Sequence, residues 1–169
     1  RVEGAARVIE LGDGPDKHTI ALGITDRAVS LFVLGSTGSR QISSNAVLDG
    51  GRWLHIAATL SGSGNATLYV NGAVVASGTA VPLPSQVLRR YCYLGKSSKI
   101  GDGLLRGRLA EVRIFSVVRT AAELRSAMNQ ALPEEVSGLL RYYRLDEGSG
   151  SLVMDRRVPA GQDAGARAG

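Results

Sequence analysis

The sequence predicts an all-β fold: an antiparallel sandwich of two sheets in the jelly-roll manner, with one short helix near residues 120–130. Three observations carry this expectation. Apolar runs of strand length recur, broken by glycine, asparagine and serine, often near the spacing of about 8–12 residues found in such sandwiches. Glycine is abundant, 22 residues against 5 prolines, with no collagen-like period, which suits a chain of many turns. No strand-like run alternates with a helix of comparable length, which argues against a parallel α/β fold.

The runs span residues 18–24, 28–34, 53–60, 66–70, 73–76, 91–94, 104–115 and 138–145. The sharpest local signal is Leu68-Tyr69-Val70-Asn71-Gly72-Ala73-Val74-Val75. Asn-Gly between two β-prone runs favours a two-residue type I′ turn, because both central residues need positive φ. Ser61-Gly62-Ser63-Gly64-Asn65 reads as the connector of the hairpin before it. The helix announces itself through Thr120-Ala121-Ala122-Glu123, a capping box in which hydroxyl and carboxylate serve each other's orphan N–H groups. Leu124 and Met128 follow at i, i+4, and Pro133 marks an end about three turns on.

At 169 residues and 17.7 kDa the chain has the size of one domain, expected over 1–155, with 156–169 as a flexible glycine- and alanine-rich tail or linker. It starts at Arg1, so it reads as a processed product or a piece of something longer. The net charge is +5, spread without long runs, which favours anionic partners in general. Aromatic residues make up only 5%, with no nucleic-acid motif, so nucleic acid is not expected as a partner. No apolar stretch is long enough to span a bilayer. Cys92, the single cysteine, excludes an internal disulfide and is expected to be a buried small hydrophobe.

Several segments fall in one order at the spacings of a known family. They are Trp53-Leu54-His55-Ile56-Ala57-Ala58-Thr59, Leu68-Tyr69-Val70-Asn71-Gly72, Tyr93-Leu94-Gly95-Lys96 and Gly107-Arg108-Leu109-Ala110-Glu111-Val112-Arg113-Ile114-Phe115. Arg119-Thr120-Ala121-Ala122-Glu123-Leu124 follows, and then the stretch from Gly138 to Gly150. The set, covering roughly residues 7–155, resembles the laminin-G-like jelly-roll domains of the concanavalin A-like lectin and glucanase superfamily. That family carries a tryptophan-bearing strand ahead of the position of Arg1. The resemblance therefore leaves a sheet edge open, where a partner could add a strand.

The resemblance implies a non-catalytic extracellular or cell-surface module of a larger protein, acting in adhesion or assembly through protein contacts. Its partners would be another protein or neighbouring domains of the same assembly. The alternative it implies is a carbohydrate-binding module for anionic or neutral glycans. No cofactor is required in either case, and calcium is a candidate. Glucanases of the fold set carboxylates about 5–5.5 Å apart on one strand. Here Glu111 stands alone, with Arg113 two residues on and on the same side of the pleat, so no catalytic residue is assigned. His55 falls in the family's tryptophan–histidine strand as a structural residue.

For an anionic glycan the candidates are Arg89, Arg90, Lys96, Lys99, Arg106 and Arg108, six bases within 20 residues holding one acid, Asp102. A solvated basic sheet face is the plainer account of them. Calcium candidates are Asp13 and Asp16 in Gly12-Asp13-Gly14-Pro15-Asp16, and Asp102 in Gly101-Asp102-Gly103; Asp-Gly pairs also serve simply as turns. Asp146-Glu147-Gly148 reads as a structural turn. Asn65-Ala66-Thr67 forms a glycosylation sequon at a hairpin mouth.

Overall fold

The structure is a computed structural model of the chain, and it describes residues 5–15, 17–45, 48–133, 135–157 and 166–167. The chain divides into two compact units: one of residues 1–106 with 120–128, the other of residues 107–119 with 129–169. The tail expected over 156–169 lies largely outside the described residues.

The first unit is the sandwich. Five strands, β1 (Ala6–Gly12), β2 (Ile20–Thr25), β3 (Ala28–Gly35), β4 (Gly38–Ser43) and β8 (Tyr91–Leu94), form one antiparallel sheet in the order β4-β3-β2-β1-β8. A second antiparallel sheet holds β5 (Ile56–Leu60), β6 (Ala66–Val70) and β7 (Ala73–Gly78) in sequence order. The core lies between them: Val29, Leu31, Val33 and Ile42 from the first sheet meet Ala66 and Leu68 from the second, with Val81 beside them. Every second residue of β3 points inward, the period-2 pattern that a half-buried strand requires.

Local signals account for most of the elements. Asn71 and Gly72 take φ of +50° and +72°, and Val70 pairs with Ala73, so the hairpin has the expected two-residue turn. Gly72 has a second reason to lack a side chain: an added Cβ would lie 2.2 Å from Arg125 Cγ. The helix α1 (Ala121–Ala127) rests against that turn, where Arg125 Nη1 donates to the Gly72 carbonyl at 3.1 Å. Both bonds of the capping box are present. The helix is shorter than expected, seven residues with Met128 as its C-cap, and none of its residues is buried; only the cap and surface contacts hold it.

Three expectations are corrected. Cys92 is exposed rather than buried, because β8 is the outermost strand of its sheet. The run from 53 becomes a strand only at Ile56, leaving Trp53 66% exposed. The run 104–115 is strand only at β9 (Val112–Phe115), after Glu111, whose φ of +58° breaks extended backbone.

The second unit pairs β9 with β10 (Leu139–Tyr143), and β11 (Leu152–Val153) with β12 (Ala166–Arg167), both antiparallel. Tyr142 and Leu139 are buried in it.

Candidate functional site

The candidate site lies on the five-stranded sheet, at β8 and the loop that follows it. It starts with an irregularity in β1. Arg7 pairs with Gly23 and Glu10 with Ala21, with a register shift between Arg7 and Ile9. Three residues apart, Arg7 and Glu10 would point to opposite faces of a regular strand. The bulge at Val8 brings both to the outer face, away from the apolar core.

Both charges hold the loop after β8. Glu10 is 2% exposed and accepts three hydrogen bonds: from the Ser97 hydroxyl at 2.8 Å, the Ser98 N–H at 2.9 Å and the Ser98 hydroxyl at 2.5 Å. A buried carboxylate is tolerable only with such donors around it. Arg7 Nε donates to Asp102 Oδ2 at 3.1 Å, with side chains 8% and 10% exposed, while its guanidinium lies 5.6 Å from the Phe32 ring centroid. The loop is thus pinned at residues 97–98 and again at 102.

The two pins decide where the bases go. Arg90, Lys96, Lys99 and Arg106 are exposed, whereas Arg89 is half-buried and turns back to donate to the Ser85 carbonyl at 2.9 Å. Arg108 is exposed but belongs to the second unit. Asp102, the one acid of this stretch, is neutralised by Arg7, so the first unit's bases face solvent without it.

Two tyrosines missed in the sequence complete the surface. Tyr91 and Tyr93 leave the same face of β8 as Glu10, opposite Gly12 and Glu10 respectively. Their rings meet edge to face at 6.5 Å between centroids and 70° between planes. The Lys96 ammonium sits 5.2 Å from the Tyr93 centroid. The signal was available in the i, i+2 spacing of the tyrosines, but only β8's place at the sheet margin leaves them open. Between them the Cys92 thiol donates to the Arg89 carbonyl at 3.6 Å, and partial burial pushes its pKa up, partly opposed by Arg89.

The other sequence candidates fall elsewhere. Asp13 lies in the β1–β2 turn, which is closed by bonds from its N–H to the Lys17 carbonyl and from the Lys17 N–H to the Gly14 carbonyl. Asp102 lies beside Arg7, at the opposite end of β1 from Asp13. Asp16 is outside the described residues. Among the described residues no three His, Cys, Asp or Glu side chains gather as a metal cluster. Asn65 is exposed in the β5–β6 turn, its side-chain amide donating to the Ser63 hydroxyl at 3.1 Å. His55 meets the hairpin through its backbone: its N–H donates to Asn71 Oδ1 at 2.9 Å and its carbonyl accepts from the Asn71 N–H.

In the second unit Glu111 is a structural hub, as the nearby arginine suggested. Its Oε2 accepts from Arg113 Nη2 and the Tyr142 hydroxyl, both at 2.6 Å, and Arg144 Nε lies 3.6 Å from Oε1. A carboxylate surrounded in this way is fixed in place by its ion pairs and the tyrosine hydroxyl. Asp146 pairs with Arg144 and Arg156, and Glu147 accepts from the Met154 N–H, so the Asp146-Glu147 turn is structural as expected.

Residues 3–125 match the Laminin_G_3 family model, described as the concanavalin A-like lectin/glucanases superfamily. The matched span ends within α1, so the likeness read from residues 138–150 lies outside it. A solved structure titled "putative carbohydrate binding protein" from Bacteroides ovatus ATCC 8483 superposes with a TM-score of 0.65 at 22% identity. It covers 89% of this chain and 48% of that one, so the chain spans about half the length of that structure; at this identity the likeness is one of fold. An S-layer domain-containing protein from Clostridium thermocellum ATCC 27405 aligns at 26% identity over 75% of this chain and 64% of its own, with a TM-score of 0.44, too low for a shared fold to be argued. No curated protein matches the chain. The family match takes in well over half of the residues, and the chain belongs to the concanavalin A-like lectin/glucanases superfamily.

Proposed function

We propose that this chain is a non-catalytic binding module whose ligand is an anionic glycan, held on the basic rim around β8. One observation carries the reading: Glu10 and Asp102, the two acids that hold the loop after β8, are buried in hydrogen bonds and an ion pair, while Arg90, Lys96, Lys99 and Arg106 face solvent. A rim of this kind presents exposed positive charge on a loop whose shape is set in advance, which reduces the ordering cost of binding. The fold shared with a protein named for carbohydrate binding supports the ligand class. A ligand of this kind places the module at the cell surface or outside the cell. Calcium is an auxiliary rather than a requirement, with Asp13 and Asp16 as the carboxylates to take part.

The test is a glycan array read in calcium and in chelator, with sulfated, carboxylated and neutral glycans, and duplex DNA as a control polyanion. Retention of acidic glycans above neutral ones is expected, falling with salt. Glutamate at Arg90, Lys96, Lys99 and Arg106 together abolishes it. A blank array, or DNA retained as well as glycan, overturns the reading.

A second reading, contact with a protein at the sheet edge, is favoured by β8 having a backbone partner on one side only among the described residues. Sedimentation across a concentration series checks whether copies associate there; a constant monomer mass counts against self-association.

A further inference from the structure

We infer that Tyr91 is the floor of a sugar-binding subsite and that Lys96 reads a carboxylate on the neighbouring sugar, so that the ligand is a uronic-acid glycan. This rests on the proposed glycan-binding role and names the ligand within it. The geometry is a row along β8. At one end Tyr91 stands opposite Gly12, which offers no side chain to cover it. Its ring edge, at Cε2, lies near Gly14, where an added Cβ would sit 3.8 Å away. One edge of the ring therefore rests against the β1–β2 turn, and Tyr91 is 39% exposed. Next to it is Tyr93, and the Lys96 ammonium is placed over the Tyr93 ring.

Each member suits a different part of a sugar chain. An exposed tyrosine ring is a flat apolar surface with a polar tip, matched by the C–H face of a pyranose whose hydroxyls point sideways. Tyr93 has Lys96 over its face, so Tyr91 is the ring left for stacking. Lys96, whose ammonium lies 5.2 Å from the Tyr93 centroid, is thus separated from the Tyr91 ring by one side chain, and we assign it to the substituents of the next sugar. A carboxylate there meets an ammonium whose approach is fixed by its ring. At the glycine end Asp13, between Gly12 and Gly14, offers a carboxylate that accepts from sugar hydroxyls and disfavours a second anionic group. The polarity of the row thus selects a chain with spaced single negative charges over a densely sulfated one.

The experiment compares retention by hyaluronan and unsulfated chondroitin, the uronate probes, with dextran and xylan as neutral ones and heparin as the densely sulfated one. The unaltered chain is expected to bind the uronate polymers tightest. Tyr91→Ala weakens all of them about tenfold or more, while Tyr91→Phe retains binding, since the ring and not the hydroxyl does the stacking. Lys96→Met keeps the apolar stem and lowers uronate binding by up to about fivefold without changing neutral binding. Circular dichroism identical to the parent chain excludes unfolding of the variants. Unchanged affinity in Tyr91→Ala, with retention still lost on charge reversal of the rim, overturns the subsite and leaves the glycan-binding role standing. Heparin bound tighter than the uronates overturns the ligand class. No retention of any glycan overturns both.

Discussion

The two faces of the five-stranded sheet are buried by different physics. On the inner face Val29, Leu31, Val33 and Ile42 meet the second sheet through apolar contact alone. On the outer face Arg7, Glu10 and Ser30 are as thoroughly buried, but each polar side chain has named partners: Asp102 for Arg7, Ser97 and Ser98 for Glu10, Thr25 for Ser30. Apolar burial is non-directional and tolerates exchange of one hydrocarbon for another. A buried charge depends on specific donors and acceptors, and losing one partner strands the other. The inner face therefore makes a stable sandwich, while the outer face fixes the shape of one loop.

The sharpest way to break this contrast is Asp102→Ala, which leaves the Arg7 guanidinium buried without its counter-charge. A loss of about 3–5 kcal/mol is expected in chemical denaturation; a loss well under 1 kcal/mol would show that Arg7 is not committed to Asp102. Glu10→Ala comes next, at about 1.5–3 kcal/mol for the charged hydrogen bonds removed. Its amide exchange at residues 95–105 should accelerate more than exchange in β6; uniform acceleration would mean that Glu10 supports the sandwich rather than the loop. On the inner face, Leu31→Met keeps volume and is expected to cost less than about 1.5 kcal/mol. A larger cost there would mean that the apolar face is as exacting as the polar one.

The smallest effect concerns Cys92, at the sheet margin. Partial burial raises its thiol pKa above the ordinary value, so the thiolate appears at higher pH than in a free cysteine. Its alkylation rate should rise along a pH curve displaced upward from that of a cysteine peptide, and slow alkylation at neutral pH is the expected sign. A curve displaced downward would mean that the cation at Arg89 outweighs desolvation.

Much of this architecture was legible before any coordinates. The I′ turn at Asn71-Gly72 and the capping box at Thr120 and Glu123 are local, because each follows from φ, ψ or side-chain reach within a few residues. β1 and β4, two of the strands that escaped notice, did so for a reason. Apart from Ile42, β4 is exposed, with no apolar face to read, and β1 mixes Arg7 and Glu10 among its apolar residues. Cys92 was misjudged because hydrophobicity sets a preference for burial but not a position at the sheet's margin. Of the rim, the basic residues were visible as a cluster along the chain. Their separation into exposed, tethered and second-unit members was not.

By itself the sequence determined that the chain would form two antiparallel layers, with turns where glycine and asparagine permit positive φ, since strand-length apolar runs and turn chemistry are properties of neighbours along the chain. Only the tertiary structure decided that Arg7 and Glu10 share a face, because a single bulged residue reverses the parity on which any sequence reading depends. From that reversal follow the anchored loop, the buried acids and the open row of Tyr91, Tyr93 and Lys96. The partners of Glu10 and Arg7 lie 87 to 95 residues away in the chain, and no local signal spans that distance.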